Sequence, residues 1–163
     1  MEPVVNDLTQ NNIAVVIPCY RVGQEIGALM ASLPRFLKHI IVVDDASPDE
    51  TSKIVTEAAH RDLRIVLIRH EKNQGVGGAM RTGFRKALEL DAQIVVKIDG
   101  DGQMDPVHLP NLLLPIIQGR ADYTKGNRFK DFQALQKMPI IRRVCNMALS
   151  FLPKAATGYW NLF

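Results

Sequence analysis

Four short apolar runs, rich in β-branched residues, punctuate the first hundred positions of the chain, at 13–17, 40–43, 64–68 and 93–98. Each is nearly continuous rather than alternating, the pattern of strands buried on both faces. Between them the apolar positions shift to helical spacing. Ile26, Leu29, Met30 and Leu33 make one stripe, and Ile54, Val55 and Ala58 a second. Ala79, Phe84, Ala87, Leu88 and Leu90 make a third, within 78–90. The β-α-β-α-β-α-β alternation predicts a doubly wound α/β fold: a mainly parallel sheet with helices on both faces. Beyond it, Asp105 and Pro106 read as the N-cap and first residue of a further helix through Leu109, Leu112, Leu113 and Ile116, kept short or kinked by Pro110 and Pro115. Residues 121–128 read as a fifth strand or extended edge, and 135–152 as a basic amphipathic helix with Ile141, Val144, Cys145, Ala148, Phe151 and Leu152 on one face.

Ligands of open parallel sheets bind beyond the carboxyl ends of the strands, so the residues after each run carry the chemistry. Those are Pro18-Cys19-Tyr20-Arg21, Asp44-Asp45-Ala46-Ser47, His70-Glu71-Lys72-Asn73-Gln74-Gly75 and Asp99-Gly100-Asp101-Gly102-Gln103. Asp44, Asp45, Asp99 and Asp101 thus meet on one rim, where like charges repel unless a cation joins them. Alternate carboxylates in Asp99-Gly100-Asp101 suit a hard divalent cation bridged to phosphate oxygens, and Gly100 permits a close approach of backbone to ligand. A plain polar turn has the same composition. An EF-hand is excluded, because Gln103, Met104 and Pro110 occupy positions where its loop needs an acid or amide, a glycine and a glutamate. Gly75, Gly77 and Gly78 do not complete a dinucleotide fingerprint, since Met80 stands in place of the third glycine and the preceding strand is the third. The segment is either an anion-facing helix start or an ordinary one.

Composition bounds the remainder. The 163 residues fit one domain, and 47% hydrophobic with 23% charged residues excludes wholesale disorder. The net charge is +3, but 120–154 holds eight Lys/Arg against two acids. That surplus suits either an anionic partner or a solvated face. Two cysteines make no disulfide framework and suit a reducing compartment. The N-terminus lacks the basic and apolar regions of a secretory signal, and no run reaches the about 18–20 apolar residues of a membrane span.

In order and spacing, five motifs over roughly 13–129 resemble the family 2 glycosyltransferases: Val16-Ile17-Pro18-Cys19-Tyr20, Val42-Val43-Asp44-Asp45-Ala46-Ser47, Asn73-Gln74-Gly75-Val76-Gly77-Gly78-Ala79, Asp99-Gly100-Asp101-Gly102-Gln103 and Gly126-Asn127-Arg128. The nearest likeness is to the branch that glycosylates polyprenyl phosphates, such as the dolichyl-phosphate mannose and glucose synthases. The resemblance implies a GT-A fold, a nucleotide-diphosphate sugar (UDP- or GDP-linked), Mg²⁺ or Mn²⁺, and inversion at the anomeric carbon. It implies that Pro18, Cys19 and Tyr20 line the base pocket and that Asp45 binds base or ribose, with Asp44 ordering the loop beside it. Gly75, Gly78 and Gly100 fall in the donor-binding motifs. Asp99 contacts ribose or metal, Asp101 and Gln103 hold the metal, and Arg128 pairs with a phosphate, so that Asp101 and Arg128 carry the catalytic charge stabilisation. One departure is Val22, where many relatives carry an acid.

The expected function is transfer of a hexose to a polyprenyl phosphate at the cytoplasmic membrane face. The alternatives are a glycan or glycolipid hydroxyl as acceptor, or a fragment that binds nucleotide sugar without catalysis. No nucleic-acid partner is expected. The expected organisation is an N-terminal extension (1–12), a nucleotide-sugar-binding core (13–130) and a basic helical segment opening an acceptor region (131–163). Segment 135–152, with Arg142 and Arg143, either lies on a bilayer surface or packs on protein. The apolar end at Gly158-Tyr159-Trp160-Asn161-Leu162-Phe163 suggests a C-terminally truncated chain.

Overall fold

The computed structural model describes residues 7–126. The chain divides into two compact units, Met1–Asp122 and Tyr123–Phe163, and every helix and strand below lies in the first. In order these are β1 (Ile13–Cys19), α1 (Ile26–Ser32), β2 (His39–Asp44), α2 (Thr51–Ala59), β3 (Ile65–Arg69), α3 (Gly75–Glu89), β4 (Ile94–Lys97), a 3-10 turn (Pro106–His108) and α4 (Leu109–Ile117). The four strands pair in parallel in the order β3-β2-β1-β4.

Side-chain alternation in this sheet separates two cores. Val15, Ile17, Ile40, Val42, Ile65 and Ile98 pack with Ile26, Leu29 and Met30 of α1, Val55 of α2, and Leu109 and Leu113 of α4. On the opposite face Ala14, Val16, Ile41 and Val43 pack with Ala79 and Ala87 of α3. Residues 13–17 are wholly buried, as a central strand covered on both faces requires. The doubly wound expectation therefore holds, with helices on both sides.

Three local expectations differ from the structure. The third helix begins at Gly75, not at residue 78. Glycines depress helix propensity by about 1 kcal/mol each, yet the Gln74 N–H is anchored by Asp45 and starts the helix earlier. Phe84 and Leu88 face outward. The sheet receives instead the small residues Ala79, Gly83 and Ala87, because α3 lies so close to β1 that a methyl group on Gly83 would overlap Val16. Finally, 121–126 form no strand. The Arg120 and Ala121 N–H groups bond back to the Pro115 carbonyl, after Gly119 turns at φ +66, which takes both donors out of any ladder. Residues 127 and 128 and segment 135–152 lie outside the described residues.

Asp105 caps as its sequence position predicts: its carboxylate accepts the Val107 N–H at 2.9 Å, with Pro106 first in the turn. Pro115 sits inside the nine-residue α4.

Candidate functional site

The strand order reverses between β1 and β4, since β2 leaves β1 on one side while β4 joins it on the other. Such a switch point opens a crevice at the carboxyl ends of the two strands. The loops after β1 and β4 carry Pro18-Cys19-Tyr20 and Asp99-Gly100-Asp101 to that crevice, and the loops after β2 and β3 extend its rim.

The first two loops are laced together. Backbone N–H groups of Arg21, Val22 and Gly23 donate to Ser47 Oγ (3.1 Å), Thr51 Oγ1 (3.2 Å) and Asp49 Oδ2 (3.1 Å). Asp49 Oδ1 accepts the Thr51 hydroxyl at 2.6 Å. Burial raises the Asp49 carboxyl, but the Thr51 hydroxyl and the Gly23 and Thr51 N–H groups outweigh it and hold the carboxyl below its ordinary value. Left-handed backbone at Arg21 (φ 58) and Ala46 (φ 57) lies in these two loops, a conformation uncommon for residues with a Cβ and held here by the cross-loop bonds. Asp49 and Thr51 escaped the sequence reading; Asp-x-Thr at a helix entrance was the available signal.

Asp44 and Asp45 project to opposite faces. Asp44 has no exposed side-chain surface; it accepts the Ser47 N–H at 3.0 Å and the Ser52 hydroxyl, with Arg69 Nε 3.6 Å away. Its carboxylate is thus committed to partners within the protein, at the loop it closes. Cys19 faces inward likewise. It is buried at 1% exposure in the core, where burial first, then the charges of Asp44 and Asp49, push its thiol up to about 12. Tyr20, by contrast, stands on the surface at 43% exposure with the Arg21 guanidinium 5.1 Å from its ring centroid. Pro18 is half-buried.

Asp45 anchors a buried polar chain. His70 Nδ1 lies 2.7 Å from Asp45 Oδ1, and His70 Nε2 lies 2.9 Å from Thr82 Oγ1 on α3. The Gln74 N–H donates to the same carboxylate oxygen at 2.9 Å. Burial raises the Asp45 carboxyl, yet donation from Gln74, His70 and Gly75 prevails and holds it below the usual range. A carboxylate offers about four accepting positions; these donors fix the group as a carboxylate, and the His70 and Gln74 bonds both fall on Oδ1. His70 and Thr82 are site residues that the sequence reading did not select. Beside them an open cleft of about 610 Å³ is lined by Ala46, Ser47, Pro48, Arg69, His70 and Glu71. Gly75 forms the turn into α3 at φ +75, its N–H donating to Asn73 Oδ1, and Gly78 lies one turn along against Gln74.

In the fourth loop Asp101 and Gln103 are exposed, and the Gln103 backbone N–H donates to Asp101 Oδ1 at 3.0 Å. Gly100 is buried against the end of β1: a Cβ there would meet Cys19 Sγ at 2.9 Å, Val22 at 3.2 Å and the Pro18 carbonyl at 3.3 Å. Its close approach is thus to the neighbouring loop. Asp99 is 35% exposed and pairs with Lys97 Nζ at 2.7 Å. Among the described residues no three His, Cys, Asp or Glu side chains gather as a preformed metal cage. The donor set still fits Mg²⁺ or Mn²⁺, which are commonly held by one or two carboxylates completed by substrate phosphates and water. Arg128, expected on a phosphate, lies outside the described residues.

Residues 14–162 match the family model described as glycosyl transferase family 2. The chain is 35% identical over 161 residues to a UDP-N-acetylglucosamine–dolichyl-phosphate N-acetylglucosaminyltransferase of Methanococcus voltae, covering 91% of this chain and 64% of that protein. It is 30% identical to an undecaprenyl-phosphate mannosyltransferase of Micrococcus luteus, covering 90% of this chain and 60% of the relative. The chain therefore spans less than two thirds of the length of either relative. Among solved structures it resembles a mannosyltransferase from Pyrobaculum calidifontis in complex with GDP-Man and Mn²⁺, with 28% identity and a TM-score of 0.52 over 63% of this chain and 31% of that one. Its four-stranded parallel sheet has the GT-A architecture.

Proposed function

The chain belongs to glycosyl transferase family 2, and from that premise we propose that it forms the donor-binding part of an inverting glycosyltransferase. Its donor is a nucleotide-diphosphate sugar, and the acceptor of the whole protein is a polyprenyl phosphate. The observation that carries the donor reading is the switch-point crevice, whose rim takes Asp99 and Asp101 from the loop after β4 and, from the loop after β2, the carboxylate of Asp45 locked by His70 and Gln74. The acceptor reading is supported by the relatives named for transfer to dolichyl and undecaprenyl phosphate.

Each residue has a distinct task in this reading. Tyr20 presents an exposed aromatic face to the nucleobase, and Asp45 is a fixed acceptor beside it for base or ribose. Asp99 and Asp101, with Gln103, hold Mg²⁺ or Mn²⁺ against the diphosphate. The cation supplies positive charge where the departing β-phosphate becomes more negative. Arg128 adds a planar, bidentate partner for the same phosphate. An acceptor phosphate oxygen is already anionic and needs no strong base, whereas a sugar hydroxyl would need a nearby carboxylate.

Calorimetric titration with UDP and GDP sugars, with and without Mn²⁺, tests the donor site. We expect micromolar-range binding that depends on Mn²⁺ and is lost by tenfold or more in Asp101→Ala, about 1.4 kcal/mol or greater. Unchanged affinity in that variant would remove Asp101 from the metal site. Transfer of labelled sugar to a short polyprenyl phosphate by the full-length protein tests the acceptor; product on glycan acceptors alone would replace this reading with hydroxyl glycosylation. Peripheral membrane contact through 135–152 belongs to the same proposal. Among the described residues no helix is long and apolar enough to cross a membrane.

A further inference from the structure

Lys97 closes β4 and is the one charged residue in an otherwise apolar strand, Ile94–Lys97. Ile98 enters the core beneath α1 and α4, while Val95 packs on the α3 side. Strand alternation therefore sends Lys97 and Asp99 to the α3 side together. Lys97 Nζ meets Asp99 Oδ1 at 2.7 Å, with the two side chains 41% and 35% exposed. An ion pair so open to water contributes at most about 1 kcal/mol to folding. Its location matters more than its strength, because it places a permanent cation on one carboxylate of a two-carboxylate motif.

We propose that Lys97 is a specificity-determining residue of the donor site, a resident cation on Asp99 that makes divalent-metal binding depend on the nucleotide diphosphate. This rests on the donor-site reading above. Asp99 and Asp101 alone would offer a metal two negative charges. With Lys97 in place the protein offers a net single charge, and Asp101 is the carboxylate left open. No third His, Cys, Asp or Glu compensates among the described residues. The diphosphate then supplies the missing negative charge and oxygen ligands, so metal and donor arrive as a unit. A unit charge a few ångströms from a dication shifts its affinity by about five- to tenfold even in high dielectric with ordinary salt.

The test is titration of Mn²⁺ into the chain alone, and again with saturating UDP or GDP, for wild type, Lys97→Met, Lys97→Arg, Asp99→Asn and Asp99→Asn/Lys97→Met. Lys97→Met is expected to bind Mn²⁺ alone about five- to tenfold more tightly than wild type, with Lys97→Arg close to wild type. The gain should be smaller against Asp99→Asn, where the ammonium still repels the dication but no carboxylate is freed, and melting temperatures should barely move. Mn²⁺ affinity in Lys97→Met equal to wild type, while wild type shows Mn²⁺-dependent nucleotide binding, overturns the proposal and leaves the donor site standing. A gain of equal size in the Asp99→Asn background overturns the route through Asp99. Absence of any Mn²⁺-dependent nucleotide binding in wild type overturns the donor-site reading and this inference with it.

Discussion

A carboxylate that has lost most of its water must be compensated by donors, and at Asp45 the donors are the His70 ring and the N–H groups of Gln74 and Gly75. The consequence is a pH dependence of known sign. The folded-state value lies below the ordinary 3.8, so the stabilisation is complete above that value and is lost as pH falls through the depressed folded value. The melting-temperature gap between wild type and Asp45→Asn should therefore be largest near neutral pH and shrink from about pH 5 downward. Asp49 and Asp62 are lowered too and keep some acid sensitivity in the variant. His70→Ala strips one partner from both Asp45 and Thr82, and should cost about 1–3 kcal/mol in thermal or urea denaturation. Nucleotide affinity should fall in the same variant. Asp45 was legible because two acids after a buried strand are conspicuous. His70 was not, because a histidine following a strand has no pattern of its own; only the fold brings α3 and Thr82 against it.

Helix α3 shows how an element can be right in kind and only partly right in its contact face. Of its expected apolar stripe Ala79, Ala87 and Leu90 pack on the sheet side, whereas Phe84 and Leu88 face outward and Gly83 completes the line. Close packing rather than hydrophobicity decides the face, and closeness is invisible in a list of apolar residues. Two of the four glycines of this helix then behave oppositely. Gly83→Ala places a methyl group into Val16, and should destabilise by about 1–3 kcal/mol through overpacking. Gly77→Ala meets nothing within 4 Å, and should be neutral or stabilising by up to about 1 kcal/mol. Denaturant titration of the pair checks both signs in one experiment. The strands were legible for a simpler reason. Burial on both faces writes the continuous apolar runs of β1 and β2, and all four strands fall within two residues of their runs at each end.

At the scale of the molecule, the order β3-β2-β1-β4 does what no single motif does. It brings residues 18–23, 44–49, 70–75 and 99–103 to one end of one sheet, although they are spread over more than half of the chain. Alternation of strand and helix made that legible, since short parallel crossovers leave few topologies open. That residues 121–126 form no strand was not legible, because backbone N–H groups drawn back to Pro115 leave no mark in side-chain pattern. The basic segment 135–152 is best addressed on the intact chain. Co-sedimentation with anionic liposomes should be weakened several-fold by Arg142→Glu/Arg143→Glu if the segment meets lipid. Equal pelleting would assign it to protein contact.

The seat of Gly100 on Cys19 has a practical corollary. The sulfur is buried and lies against Gly100, so a thiol reagent reaches it only through openings of the surrounding structure, and its alkylation rate reports their frequency. In a Cys145→Ser background the signal comes from one sulfur. Saturation with nucleotide diphosphate and Mn²⁺ should slow the labelling, giving a readout of occupancy that needs neither acceptor nor turnover.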